Sequence, residues 1–187
     1  MPEEYLDIVD ENGNLTGTKE LRSIVHEKGL WHRTVHIFLY KRENEKVYFL
    51  VQQRSKDKDR HPDEWTIVSG GHVIAGASTM EAVKSELEEE IGLDAYDLIF
   101  IPAGIDPHIS KSGKNNEFVH MFFTNFNGRV DDLHFNDGEV QAVAWKDVDE
   151  IKKEIKQFPN NWADTESRCE YYMELFEKFV IKKETSL

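Results

Sequence analysis

Apolar positions along the chain change period several times, and each change marks an element. "HRTVHIFLYKR" (32–42) and "KVYFLVQQR" (46–54) are rich in β-branched and aromatic residues and predict two strands joined by the polar turn "ENE". Upstream, "YLDIVDENGNLTG" sets apolar runs on either side of Asn12-Gly13, a hairpin signal, and Lys19 to Lys28 predicts a short helix or irregular crossover. After the charged loop "SKDKDRHPDE" (55–64), "WTIVSGG" reads as a short strand ending in glycines. Met80, Val83, Leu87 and Ile91 then follow helical spacing. Ser78 with Glu81 predicts a capping box, so the helix runs from Thr79 to Ile91 with Gly92 as its stop.

Further strands are predicted at 97–105, 117–126 and 139–147. The last third is helical, Val148 to Lys156 and Trp162 to Ile181, about 148–181 in all. A mixed β-sheet covered by helices on both faces follows, an α/β chain whose 187 residues form one domain.

Charge narrows the partners. Aspartate and glutamate outnumber lysine and arginine by 36 to 23, a net charge of −13, which argues against a nucleic-acid backbone or an anionic membrane as partner. An acidic protein still binds an anion when a metal ion mediates. The single cysteine, Cys169, excludes an internal disulfide, and "MPEEYLDIVD" lacks the basic and apolar character of a secretory signal, so the expected location is cytoplasmic.

The acidity concentrates on the central helix. At about 100° per residue, Glu86, Glu89 and Glu90 share an arc of about 100°, while Glu88 points away. Like charges three or four apart repel by a few tenths of a kcal/mol per pair on an exposed helix. A divalent cation turns that repulsion into ligation, and carboxylate-rich sites suit Mg2+, with Mn2+ able to substitute.

The stretch "GGHVIAGASTMEAVKSELEEEIGL" resembles the Nudix box, G-x5-E-x7-R-E-U-x-E-E-x-G-U, over residues 71–93. Gly71, Glu86, Leu87, Glu89, Glu90, Gly92 and Leu93 match; Ala77 stands at the first glutamate and Ser85 at the arginine. The resemblance implies a Nudix-type α/β/α sandwich and a metal held by Glu86, Glu89, Glu90 and the Gly71 carbonyl. It implies hydrolysis of a small-molecule diphosphate with Glu90 as general base; Glu117 and Glu139, each at a strand start, are alternatives.

Over residues 4–150 the chain also resembles the isopentenyl-diphosphate isomerase-like branch of that family, through "HEKGLWHRTVHIFLY", "QQRSKDKDRHPDEWT", "GGH" and "NNEFVHMFF". By that resemblance His26, His32, His72 and Glu117 form a second metal site, with Asn115 replacing one carboxylate, and Arg54 and Lys58 hold diphosphate oxygens. Gly70 occupies the position of the isomerase cysteine, so the proton-transfer pair is incomplete. The residues therefore favour a metal-dependent pyrophosphohydrolase cleaving a nucleoside diphosphate linked to another moiety. An isopentenyl-diphosphate isomerase and a non-catalytic nucleotide- or metabolite-binding domain are the alternatives. Tyr172, Leu175, Phe176 and Phe179 form a helical stripe that packs on its own domain or forms a homodimer contact. Specificity is expected in loops such as 106–116 and in the C-terminal helices.

Overall fold

A computed structural model describes residues 3–58, 60–110, 112–135 and 138–184. Asp59 and Lys111, in the expected loops, lie outside the described residues.

The architecture is organised by strand β3 (Trp31–Glu43), whose alternating side chains serve two cores. Val35, Ile37 and Leu39 face one side and pack with Val83, Leu87 and Ile91 of helix α2 (Thr79–Ile91). Phe38 and Tyr40 face the other and pack with Ile151 and Ile155 of α3 (Val148–Gln157) and with Cys169, Tyr172 and Phe176 of α4 (Glu166–Phe176). Helices thus cover both faces of the sheet. The remaining strands and helices are the β1–β2 hairpin (Tyr5–Val9, Leu15–Leu21), α1 (Arg22–Lys28), β4 (Lys46–Arg54), β5 (Trp65–Thr66), β6 (Phe100–Ile109), β7 (Asn116–Asn125) and β8 (Val140–Asp147), with 3-10 turns at Val130–Asp132 and Pro159–Asn161 and a π-helical continuation of α4 at Glu177–Ile181 that leads into α5 (Lys182–Glu184).

The sheet runs β5-β4-β3-β7-β6, with β8 paired to β4. β3 and β7 are parallel, from Trp31 opposite Asn116 to Tyr40 opposite Asn125, and the other pairings are antiparallel. β3 and β4 pair only at their hairpin end, from Tyr40 opposite Phe49 to Glu43 opposite Lys46. Beyond it each takes a different partner. β4 pairs with β5 at Gln52 and Gln53, while β3 takes the chain at 69–73: Ile37 N–H donates to Ser69 O at 2.8 Å, Val35 N–H to Gly71 O at 2.9 Å, and Val73 N–H to Arg33 O at 3.0 Å. Residues 65–73 are therefore a wedge between two splayed strands. Gln52 closes its top by donating to Val68 O at 3.1 Å and accepting from the Ser69 hydroxyl at 3.1 Å.

Most expected elements are present, with shifts that have physical causes. Lys19 to Leu21 completes β2 against β1, so the helix begins only at Arg22. The strand expected at 97–105 lies at Phe100–Ile109, because β7 offers its first residues, Asn116 to Val119, as ladder partners for Asp106 to Ile109. Part of the expected 106–116 loop is thus strand. The second C-terminal helix starts at Glu166 rather than Trp162. Residues ahead of it are held extended, since the Asp164 carboxylate accepts from Ile67 N–H at 2.8 Å and the Thr66 hydroxyl at 2.9 Å, and Ala163 N–H donates to Trp65 O at 2.8 Å.

The stripe on α4 belongs to the core: Phe176 stands edge-on to Tyr40, Phe49 and Phe123, with centroids 4.8, 5.2 and 5.4 Å away. Phe176→Ala is expected to cost about 3–5 kcal/mol through the cavity it leaves, read as a lower urea midpoint at unchanged m-value. A loss under about 1 kcal/mol would show that the helix contributes little to the fold.

Candidate active site

Helix α2 enters where the wedge ends. Its capping box is formed in both directions, Glu81 N–H to Ser78 Oγ at 3.2 Å and Ser78 N–H to Glu81 Oε2 at 2.8 Å, and Gly92 closes the helix in the left-handed region. With Val83, Leu87 and Ile91 wholly buried, the neighbouring arc is placed at the core boundary: Glu90 is 4% exposed, Glu86 half-buried and Glu89 exposed. The Glu86 carboxylate lies over Gly71, occupying the space a Cβ there would need. Gly70 has φ 140°, and a Cβ on it would collide with the Val35 carbonyl. Its N–H donates to Glu90 Oε2 at 3.1 Å, and Gln52 Nε2 donates to the same oxygen at 3.3 Å. The two glycines let helix and wedge approach until carboxylates and backbone touch.

A histidine cluster adjoins them. His26 on α1, His32 on β3 and His72 on the wedge each offer a ring nitrogen within 4.8 Å of the others. His32 Nδ1 faces the Leu30 carbonyl at 3.0 Å, which turns Nε2 inward, where that buried atom has no hydrogen-bond partner among the described residues. Glu117 Oε1 lies 3.9 Å from it and accepts from Asn115 Nδ2 at 2.7 Å, while Asn115 Oδ1 is likewise without a partner there. Burial lowers the pKa of all three histidines, so each ring keeps a lone pair to donate. His72 Nε2 lies 3.3 Å from His26 Nε2, and with the unpartnered His32 Nε2 this set of donors fits a divalent ion on nitrogen and oxygen, whereas the helix offers oxygen alone.

Both groups open on one cleft of about 540 Å3, lined by Gly71, His72, Glu86, Glu89, Glu90, Glu117, Glu139, Arg54 and Lys58. His26 lines the adjoining space and His32 lies beneath it, so the structure brings together the residues singled out from the sequence. Lys58 Nζ pairs with Glu139, and Arg54 Nε donates to Arg60 O at 3.1 Å. Two further cations, Arg22 and Arg60, were missed by sequence reasoning. Arg22 had a signal, since it stands four residues before His26 on one helix and so shares its face; Arg60 sat in a charged loop without periodicity.

The NUDIX domain family matches residues 30–165. The chain belongs to the Nudix family. It is 36% identical to an uncharacterised Nudix hydrolase of Clostridium acetobutylicum, over 82% of this chain and 74% of that protein. An isopentenyl-diphosphate Delta-isomerase of Pectobacterium atrosepticum is 26% identical over 87% of each. A crystal structure of the Deinococcus radiodurans protein DR0079 superposes with TM-score 0.65 at 21% identity, covering 83% of this chain and 90% of that one, a likeness of fold.

At the two positions that depart from the Nudix box, the structure makes other contacts. Ser85, at the arginine position, donates its hydroxyl to Glu89 Oε1 at 2.5 Å. Beside Ala77, at the missing glutamate, Arg33 Nη2 from β3 donates to the Ala77 carbonyl at 3.2 Å and to Asp7 Oδ2 at 3.3 Å, and Asp7 accepts from Gly76 N–H at 2.9 Å. The helix carboxylate and the loop before it are thus pinned separately.

Burial, then the neighbouring Glu90 and Glu89, pushes the Glu86 carboxyl up to about 9; burial pushes Glu90 up to about 8, against the pull of its Gln52 and Gly70 hydrogen bonds. In the metal-free Nudix site these groups therefore hold protons that the unfolded chain releases near 4.5. Folding stability consequently falls as pH rises from 4.5 until the folded carboxyls ionise at about 8 and about 9. The buried histidines, whose pKa values are lowered, act only below their ordinary 6.5. Melting temperature of the metal-free protein is expected to drop between about pH 7 and about pH 9, and to drop less in Glu86→Gln. A flat profile in the unsubstituted protein would contradict this.

Proposed function

We propose that the protein is a divalent-metal-dependent pyrophosphohydrolase that cleaves a nucleoside diphosphate linked to another moiety. The observation that carries this reading is the contact of Glu86 and Glu90 with the Gly70-Gly71 turn, which gathers carboxylates where an isomerase-like chain would need an acid side chain. Glu86, Glu89 and Glu90 would hold Mg2+ or Mn2+. The Gly71 carbonyl already accepts from Val35 N–H and would contribute its second lone pair. When bound, the ion neutralises phosphate charge and polarises the bond to be broken.

The chain's own groups supply the rest. Arg54 and Lys58, with Arg22 and Arg60, give an acidic protein a cationic rim that draws a diphosphate to the cleft. Glu90 Oε2 is engaged by Gln52 and Gly70, leaving Oε1 to accept a proton from the attacking water. Glu139 is committed to Lys58, and Glu117 to Asn115, which makes Glu90 the better base. The histidine cluster with Glu117 is proposed as a second metal site.

Isomerisation is disfavoured by geometry as well as by residue type. A side chain at residue 70 would collide with the Val35 carbonyl, so Gly70→Cys is expected to destabilise the fold by about 2 kcal/mol or more and to form no allylic diphosphate from isopentenyl diphosphate. A stable Gly70→Cys protein with isomerase activity would overturn the argument.

The direct test is turnover with Mg2+ across nucleoside triphosphates, nucleotide sugars and dinucleotides. Glu90→Gln is expected to lower kcat by about 100-fold or more with the fold retained. Nucleotide binding without turnover in the unsubstituted, metal-loaded protein would replace the hydrolase with a binding domain.

A further inference from the structure

Past Glu90 and Glu117 the cleft continues into a second space of about 470 Å3, floored by the central sheet and walled by residues 163–172. Part of that wall, including Arg168 and Tyr172 on α4, lies beyond the residues that match the Nudix family. Gly70, Arg54, Glu90, Asn115 and Glu117 line it from the adjoining site, whereas His36, His108 and Arg168 carry no role in the sequence pattern.

Its furniture is polar and largely neutral in sum. Arg168 Nη1 donates to Asp106 Oδ2 at 2.7 Å, and Arg168 Nε donates to the Tyr172 hydroxyl at 2.9 Å. That pair joins α4 to β6 and balances its own charge, so it offers hydrogen-bonding groups rather than a net field. His36 stands on the face of β3 that also carries Phe38 and Tyr40, lines this space, and keeps a buried Nδ1 with no partner among the described residues. Burial lowers its pKa to about 3, which leaves the ring neutral, able to donate at one nitrogen and accept at the other. His108, on the edge strand β6, adds an exposed imidazole at the rim.

We propose that this space receives the group joined to the diphosphate, and that the group is an uncharged, hydroxyl-rich one of the glycosyl class, recognised by the Arg168–Asp106 pair, His36 and His108. The proposal rests on the diphosphate reading of the adjoining cleft. A hydroxyl both donates and accepts, matching an array that mixes the two. A prenyl chain would strip water from the same groups and return no hydrogen bond. A second anionic group would meet the carboxylates Glu90, Glu117 and Asp164 that line the same space, with Arg168 already paired to Asp106 and Arg54 and Arg60 assigned to the diphosphate.

The test is calorimetric binding to the full chain with Ca2+ in place of Mg2+, using inorganic pyrophosphate, UDP, UDP-glucose and geranyl diphosphate. UDP-glucose is expected to bind at least about ten-fold more tightly than UDP, and geranyl diphosphate to show no such gain over pyrophosphate. Arg168→Met and His108→Ala should each reduce the UDP-glucose advantage by about five-fold while leaving pyrophosphate affinity unchanged. His108 is exposed, so its removal leaves the fold intact should Arg168→Met unfold. Pyrophosphate binding with no gain for UDP-glucose over UDP, an equal gain for geranyl diphosphate over pyrophosphate, or an advantage that survives both substitutions would overturn the glycosyl assignment and leave the diphosphate reading standing. Failure of pyrophosphate itself to bind would overturn both.

Discussion

The close contact between Glu86 and Gly71 is the constraint on which the rest of the site depends. Two carboxylates are held against backbone at the edge of the core, where burial and mutual repulsion push their protons on. Such an arrangement is costly in a metal-free chain and is tolerated because the seam of α2, Val83, Leu87 and Ile91, is fully buried. The hydrophobic packing that holds the helix in place sets the charged groups where a cation would relieve their repulsion.

That contact requires the sheet to be split. β3 and β4 separate after Tyr40 and Phe49, and residues 65–73 enter between them with their own ladder to β3. Had the two strands paired along their full lengths, the edge of β3 that holds Ser69, Gly71 and Val73 would have been taken. Gln52, 3% exposed, ties the opening together by bonding to Val68, Ser69 and Glu90 at once. Because each of those partners is buried or half-buried, the network gives the site a defined shape rather than a mobile rim.

The C-terminal helices have two roles. Phe176 and Tyr172 fill the core under Phe38, Tyr40 and Phe49, while Arg168 on the same helix reaches outward to Asp106 on the edge strand. The wall of the inner space is therefore fixed by the same packing that covers the sheet. Asp164 joins the two roles, since its carboxylate anchors Thr66 and Ile67 of the wedge and so ties the C-terminal segment to the side that carries the carboxylate cleft.

The sequence by itself determined the local features: the capped helix from Thr79 to Ile91, the hairpin of β3 and β4, and three carboxylates on one helical face. These depend on spacing along a single segment, and period and capping chemistry report that directly. Tertiary structure alone decided that Arg33 bonds both the Ala77 carbonyl and Asp7, because Asp7 and Arg33 come from segments far from the helix, whereas the Ser85–Glu89 contact lies within one helical turn. It also decided that Arg22 and Arg60 reach the cleft, and that His36, Asp106 and Arg168 share a space. Those residues meet only after β3, β6 and α4 have packed, and the hydrophobic pattern that drives the packing carries no record of which polar groups it brings together.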